Sequence, residues 1–101
     1  MDDVTRAAFE RLITVARSDT GQAKRVTSFI LAWWNAAACG GFDLADLFSV
    51  DRAIAADMAT VFAYLAHYPG GAVYPAGYRS EIEGPIQRWH PAVWADNDAT
   101  A

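Results

Sequence analysis

The chain holds a single cysteine, Cys39, and two histidines, His67 and His90, in 101 residues. A lone cysteine closes no internal disulfide, so the fold must rest on packing, which suits a reducing compartment. One cysteine and two distant histidines match no zinc-ligand spacing, and no cofactor is expected. A Cys39–His67 or Cys39–His90 catalytic pair would need a convergence that nothing in the spacing implies. Cys39 reads instead as a small hydrophobe closing a helix. The basic excess of a nucleic-acid-binding chain is also missing: eight Lys and Arg stand against twelve Asp and Glu, for a net charge of −4. That balance repels phosphate backbones and anionic lipid alike. The most apolar run, Phe29 to Cys39, is too short to span a bilayer and carries Asn35 and two tryptophans. Met1-Asp2-Asp3-Val4 has none of the basic, then apolar, character of a secretory leader. A cytoplasmic protein is the expectation. Repeats and strand-like alternation are absent as well.

What is present is helical. Val4, Ala8, Phe9, Leu12, Ile13 and Ala16 recur at three- and four-residue steps, which predicts a first helix over 4–18. Arg6 and Glu10 could pair across one turn of it. Asp19 and Gln22 have capping-box spacing, and a second helix runs from there to about Ala38, stopping at Gly40-Gly41. Val26, Phe29, Ile30, Trp33 and Ala37 share one arc of it, while Leu31 and Trp34 fall outside. The second helix is therefore expected to be the central element, packed against the third.

Phe42–Phe48 reads as a short helical turn capped by Asp43. Ser49 is then the expected cap of a third helix over 50–67, with Asp51 in its first turn. Its core stripe is Ile54, Met58, Val61, Phe62 and Leu65, and alanines fill much of the rest. Tyr68–Tyr78, with two prolines and three glycines, predicts a loop. A last helix over 79–89 contains Gly84-Pro85, so a kink or two short pieces are expected. Pro91–Trp94 could add one turn. The reading is all-α: a compact bundle of four to five helices in one domain, residues 1–94, with a disordered tail over 95–101.

Two groups of residues stand out functionally. Aromatics make up 13% of the chain, more than one small helical core should need to bury. Trp34, Tyr68, Tyr74, Tyr78, Trp89 and Trp94 are the candidate interaction surface, because Tyr and Trp bury much area while keeping a polar handle. The bland alternative is that these rings only lid the core. Lys24, Arg25 and Asp57 form a candidate polar site. Two cations in the first turn of a helix oppose its macrodipole and call for a partner, either Asp43 or Asp46 within the chain or an external anion. Asp57, at the margin of the third helix's apolar stripe, could accept from a tryptophan or pair with Arg25. Gly21-Gln22-Ala23-Lys24 lacks the glycine spacing of a phosphate-binding loop.

The run Phe29-Ile30-Leu31-Ala32-Trp33-Trp34-Asn35-Ala36, the segment Gly40-Gly41-Phe42-Asp43-Leu44-Ala45-Asp46-Leu47, and the stretch Val50-Asp51 through Ala55–Phe62 carry a resemblance. Together they resemble a family of short bacterial proteins of unknown function, often carried on integrative elements and plasmids. The resemblance extends from the first helix to Trp94. It brings no activity, cofactor or catalytic residue. It implies a bacterial, mobile-element setting, in which small acidic proteins often bind host proteins, as anti-CRISPR and anti-restriction inhibitors do.

The expected function is accordingly a non-enzymatic protein–protein interaction module that binds itself or a host protein, without direct contact to nucleic acid or membrane. The alternative is a small-molecule-binding or minor enzymatic domain, with Asp57, Cys39 or His67 lining a pocket between the second and third helices.

Overall fold

Thr5, Ala8, Phe9, Leu12, Ile13 and Ala16 bury one face of α1, Asp3–Ala16. Asp2 caps that helix, its Oδ1 accepting the Thr5 N–H at 2.7 Å. The computed structural model describes residues 1–39, 41–68, 76–89 and 91–92, with the backbone alone at 34–39, 76 and 79. Within them follow α2 (Gly21–Cys39), a 3-10 turn (Leu44–Phe48), α3 (Arg52–His67), a second 3-10 turn (Ala76–Tyr78) and α4 (Arg79–Trp89). No strand occurs among the described residues. The protein is all-α, and its radius of gyration of 13.0 Å is that of a single compact body of this length. The expected tail, 95–101, lies outside the described residues, as do Val93 and Trp94 of the expected last turn.

The hub of the bundle is α1, not the second helix. It packs against α2, α3 and α4 in turn, while α2 and α3 meet only marginally. The physical reason is the breadth of the α1 face: a contiguous apolar arc that gives three neighbours separate places to lie. From α2 it receives Val26, Ile30 and Leu31, from α3 Met58 and Val61, and from α4 Ile82 and Ile86. Val4, expected on that arc, is 70% exposed. At 100° per residue it lies roughly 110° from the arc's centre, and Thr5 is buried in its stead.

Local chemistry moves several boundaries. The Asp19–Gln22 capping box does not form, because both side chains have more distant partners: Asp19 pairs with Arg88, and Gln22 reaches Asp51. The Gln22 amide donates to Asp51 Oδ2 at 3.1 Å while the Asp51 backbone N–H donates to Gln22 Oε1 at 2.6 Å. Asp51, not Ser49, occupies the N-cap position of α3, with its carboxylate bonded to Gln22 and making no capping bond to the helix, while Ser49 closes the 3-10 turn. Asp43 caps that turn as expected, accepting the Ala45 N–H at 2.9 Å. Gly41, at φ 72°, adopts the left-handed backbone that glycine admits and leads the chain away from α2. Pro85 does not split the last helix: Arg79–Trp89 is one α-helix with Pro85 inside it.

Candidate functional site

An apolar groove of about 640 Å³ separates α2 from α3. Phe29, Ala32 and Trp33 form the α2 wall, and Ala55, Met58, Ala59, Phe62, Ala63 and Leu65 the α3 wall. Phe42, Leu44 and Leu47 from the intervening segment close one end. The groove exists because α2 and α3 each lean on α1 and leave the space between them unfilled. Phe62, expected in the core stripe of α3, points here and is 61% exposed. It sits roughly 70° from the centre of the buried stripe at 100° per residue, so α1 cannot cover it. Leu44 shares the groove at 67% exposure, and Phe48, at the end of the same turn, is 85% exposed.

Only one charged side chain lines the groove among the described residues, Arg52. One of its guanidinium nitrogens donates to the Leu47 carbonyl at 2.7 Å and the Val50 carbonyl at 2.8 Å, which fixes the turn against the start of α3. No described acid, base or nucleophile faces it across the groove, and no cluster of three metal-ligating side chains occurs among the described residues.

Of the expected aromatic surface, Tyr68, Tyr78 and Trp89 are described with their side chains, each against different neighbours. Tyr78 is half-buried and stacks edge-on against Phe9, centroids 5.2 Å apart. Its hydroxyl donates to Glu10 Oε1 at 2.8 Å. The same hydroxyl, and more weakly the Glu10 carboxylate, hold the Arg6 guanidinium above its ordinary pKa. Glu10 thus takes a tyrosine as its hydrogen-bond partner. Trp89 is half-buried, with Arg88 lying over its ring at 5.1 Å. Tyr68 is exposed at the far end of α3, tilted against Tyr64 at 5.5 Å. With Val4, Thr60 and His67 these two tyrosines edge a second, shallower depression beside the start of α1. The Trp34 side chain, Tyr74 and Trp94 lie outside the described residues, as does the Cys39 side chain.

The polar candidates also separate. Asp57 pairs with Arg11 of α1, not with Arg25 or a tryptophan, and this contact raises the Arg11 pKa. Arg25 finds the internal acid expected for it: Asp46, at 3.6 Å. It also donates to the Gly21 carbonyl at 3.2 Å. Lys24 is exposed with no acidic partner among the described residues. His67 is exposed and bonds its own helix at the Ala63 carbonyl, 2.7 Å away. These contacts are structural: they tie α1 to α3 and α2 to the turn below the groove.

The groove was half legible. The sequence points to a pocket between the second and third helices, but with Asp57, Cys39 or His67 lining it. Asp57 and His67 face elsewhere, and the lining is aliphatic and aromatic. The signal that could have located it is on α3 itself, whose alanines continue around the helix past the buried stripe, where a solvated helix would carry charge.

No helix among the described residues is long and apolar enough to cross a membrane. Neither the curated proteins nor the solved structures include a match to this chain. A family profile does match, over residues 6–90, which runs from within α1 to the end of α4 and takes in the groove between α2 and α3: the chain belongs to the family of unknown function designated DUF7673.

Proposed function

We propose that this protein is a non-enzymatic interaction module whose working surface is the groove between α2 and α3. One observation carries the reading: a volume of about 640 Å³, walled by Phe29, Trp33, Leu47, Met58 and Phe62, left open on a small domain. Exposed apolar area on this scale is costly unless something covers it. Exposed Leu44 at its end and neighbouring Phe48 add to this apolar area. The absence of a facing acid, base or nucleophile among the described lining residues favours binding over catalysis. In the bacterial mobile-element setting that the family resemblance suggests, and in the reducing cytoplasm that a lone cysteine suits, the partner is a second copy or a host protein, including components of host defence.

Immobilised wild-type protein, compared with Leu44→Glu and Phe62→Glu variants, tests this. Both residues are exposed, so both variants should fold and both should lose bound protein. Partners retained equally by wild type and both variants would remove the groove from consideration.

A second reading has its own support. The groove's volume lies within the usual range for small-molecule sites, and its lining suits an apolar ligand. A thermal-shift screen with aliphatic and aromatic compounds separates the two. A large stabilisation by one such class, abolished by Phe62→Glu, would favour the ligand.

A further inference from the structure

The outer face of α3 carries little charge. Its exposed residues are Arg52, Ala53, Ala56, Ala59, Phe62, Ala63, Ala66 and His67, and none carries a carboxylate. Asp57, the only acid on the helix, is turned inward to Arg11. A helix with one solvated face ordinarily keeps charge there; a helix apolar all round is a buried helix. The side chains that depart from this are at the two ends, Arg52 and His67.

We infer that a second copy of this chain covers this face, with the two α3 helices antiparallel about a two-fold axis passing near Ala59. This rests on the interaction reading above and names the partner. Three features point to a copy. First, Arg52, Ala55, Ala59, Phe62 and Ala66 are spaced by alternating steps of three and four, the seam of a helix pair, and an alanine seam permits close approach. Second, the face is self-complementary in size only when antiparallel. An axis at Ala59 sets each Phe62 opposite Ala56 and each Ala63 opposite Ala55, so large meets small; a parallel pair would set Phe62 against Phe62. Third, the charges agree. The antiparallel arrangement carries each Arg52 to the C-terminal turn of the partner helix, where the macrodipole favours a cation. A parallel pair would bring the two arginines together.

The available area is consistent with a stable pair. Leu44, Phe48 and Phe62, at 67%, 85% and 61% exposure, offer on the order of 400 Å² at roughly 200 Å² per large side chain. A standard interface needs about 800 Å² from each partner, and the exposed alanines with Arg52 and His67 can supply the remainder. Because Ala55, Ala59, Phe62 and Ala63 also line the groove, each copy's α3 would lie along the groove of the other.

Sedimentation velocity at about 100 μM, where a complex of micromolar Kd is saturated, should give twice the 11.0 kDa of one chain. Ala59→Glu and Phe62→Glu should each sediment as monomers with unchanged helical circular dichroism. In a Cys39→Ser background, Ala59→Cys should cross-link to a covalent dimer on mild oxidation, since only residues at the axis approach closely enough. Ala53→Cys, exposed on the flank of α3, should not. The cross-linking arm decides the matter if either charged variant fails to fold. A wild-type monomer, a dimer that survives both charged substitutions, or cross-linking at Ala53 and not Ala59 would each overturn the assignment. A monomer that still captures a different protein in a Phe62-dependent way overturns self-pairing alone and leaves the interaction reading intact.

Discussion

Arg11 on α1 holds Asp57 on α3 through two parallel bonds, Nε to Oδ2 at 3.0 Å and Nη2 to Oδ1 at 2.9 Å. The pair is asymmetric: the Asp57 side chain is 15% exposed and that of Arg11 61%. Loss of Arg11 leaves a mostly covered carboxylate unpaired, whereas loss of Asp57 leaves a guanidinium in water. Arg11→Met should therefore lower the urea midpoint more than Asp57→Asn does. The double variant should be more stable than the two single losses combined would give, and strict additivity would show that the pair is not coupled. A base whose pKa is raised on folding stabilises fully below its ordinary value and ceases to do so only as pH climbs past the raised one. Arg11 is raised from an ordinary value that already lies far on the alkaline side, so its contribution should persist unchanged to about pH 10 in the same assay.

Phe9 is the side chain on which three elements converge. It is fully buried on α1 and meets Trp33 of α2 edge-on at 5.7 Å and Tyr78 at 5.2 Å. Phe9→Ala should cost about 3–5 kcal/mol, measured by denaturant unfolding. It should also increase the solvent exposure of the Trp33 ring, read by acrylamide quenching against a Trp33→Phe reference. A cost below about 1 kcal/mol would mean that the three elements are held together elsewhere.

The helices were legible because their signals are local. Three- and four-residue spacing in Ala8–Ala16 and Asp43 before Leu44-Ala45 each depend on a few neighbouring residues. Relationships between helices were not. The second helix reads as central because its own apolar arc is wide, but the hub is set by how many neighbours a face can receive, and α1 receives three. The same limit applies to side-chain partners. Asp19 and Gln22 have the spacing of a capping box, yet Arg88 and Asp51 bond them from 69 and 29 residues away. Asp57 and Arg11 are separated by 46 residues, so a search for its partner by proximity in helical register finds Arg25 instead. Phe62 departs from its core pattern for a related reason: an apolar residue beside a core stripe looks like core in the sequence, but no neighbouring helix covers it.

Thr27 is buried within α2, and its hydroxyl has no hydrogen-bond partner among the described residues. Around it lie Ile13, Ala16, Ile30, Ile82 and Pro85, together with the partly buried Glu81, to which the hydroxyl makes no hydrogen bond. An unpaired buried hydroxyl costs about 1–3 kcal/mol, and an apolar group of the same shape can remove that penalty. Thr27→Val should raise the denaturation midpoint, by about 1 kcal/mol in stability. A loss of stability would reveal a bond to the hydroxyl, such as one to an internal water.

Asp2 supplies the acid-side pH dependence. Its hydrogen bonds with Thr5 hold the carboxyl below its ordinary value of 3.8. A lowered acid pKa stabilises the folded form fully above the unfolded value, and that contribution disappears as pH falls through the folded one. The Thr5 amide resonance should therefore titrate with a midpoint below 3.8, and its exchange protection should fall over the same interval. Asp2→Ser should keep the cap and abolish the titration, because a hydroxyl accepts the same N–H without ionising. A Thr5 midpoint at or above 3.8 would contradict the capped geometry.

Gly84 offers a substitution whose sign follows from the helix alone. It lies inside α4, is exposed, and has nothing within 4 Å of where a Cβ would stand. Its φ is negative, so an L side chain meets no backbone strain there. Glycine in a helix interior is worse than alanine by roughly 0.5–1 kcal/mol, because the unfolded chain has more freedom to lose. Gly84→Ala should stabilise the protein by about that amount in thermal or urea unfolding. The next residue sharpens the test. Pro85 removes one backbone donor from α4, yet it is buried and packs beside Ile82 against α1 and α2. If α4 is held mainly by that packing, Gly84→Ala should raise stability without altering the groove's binding, since α4 does not line it. A destabilised Gly84→Ala would mean that the segment needs glycine's freedom to accommodate Pro85, and that the uninterrupted helix is not its resting state.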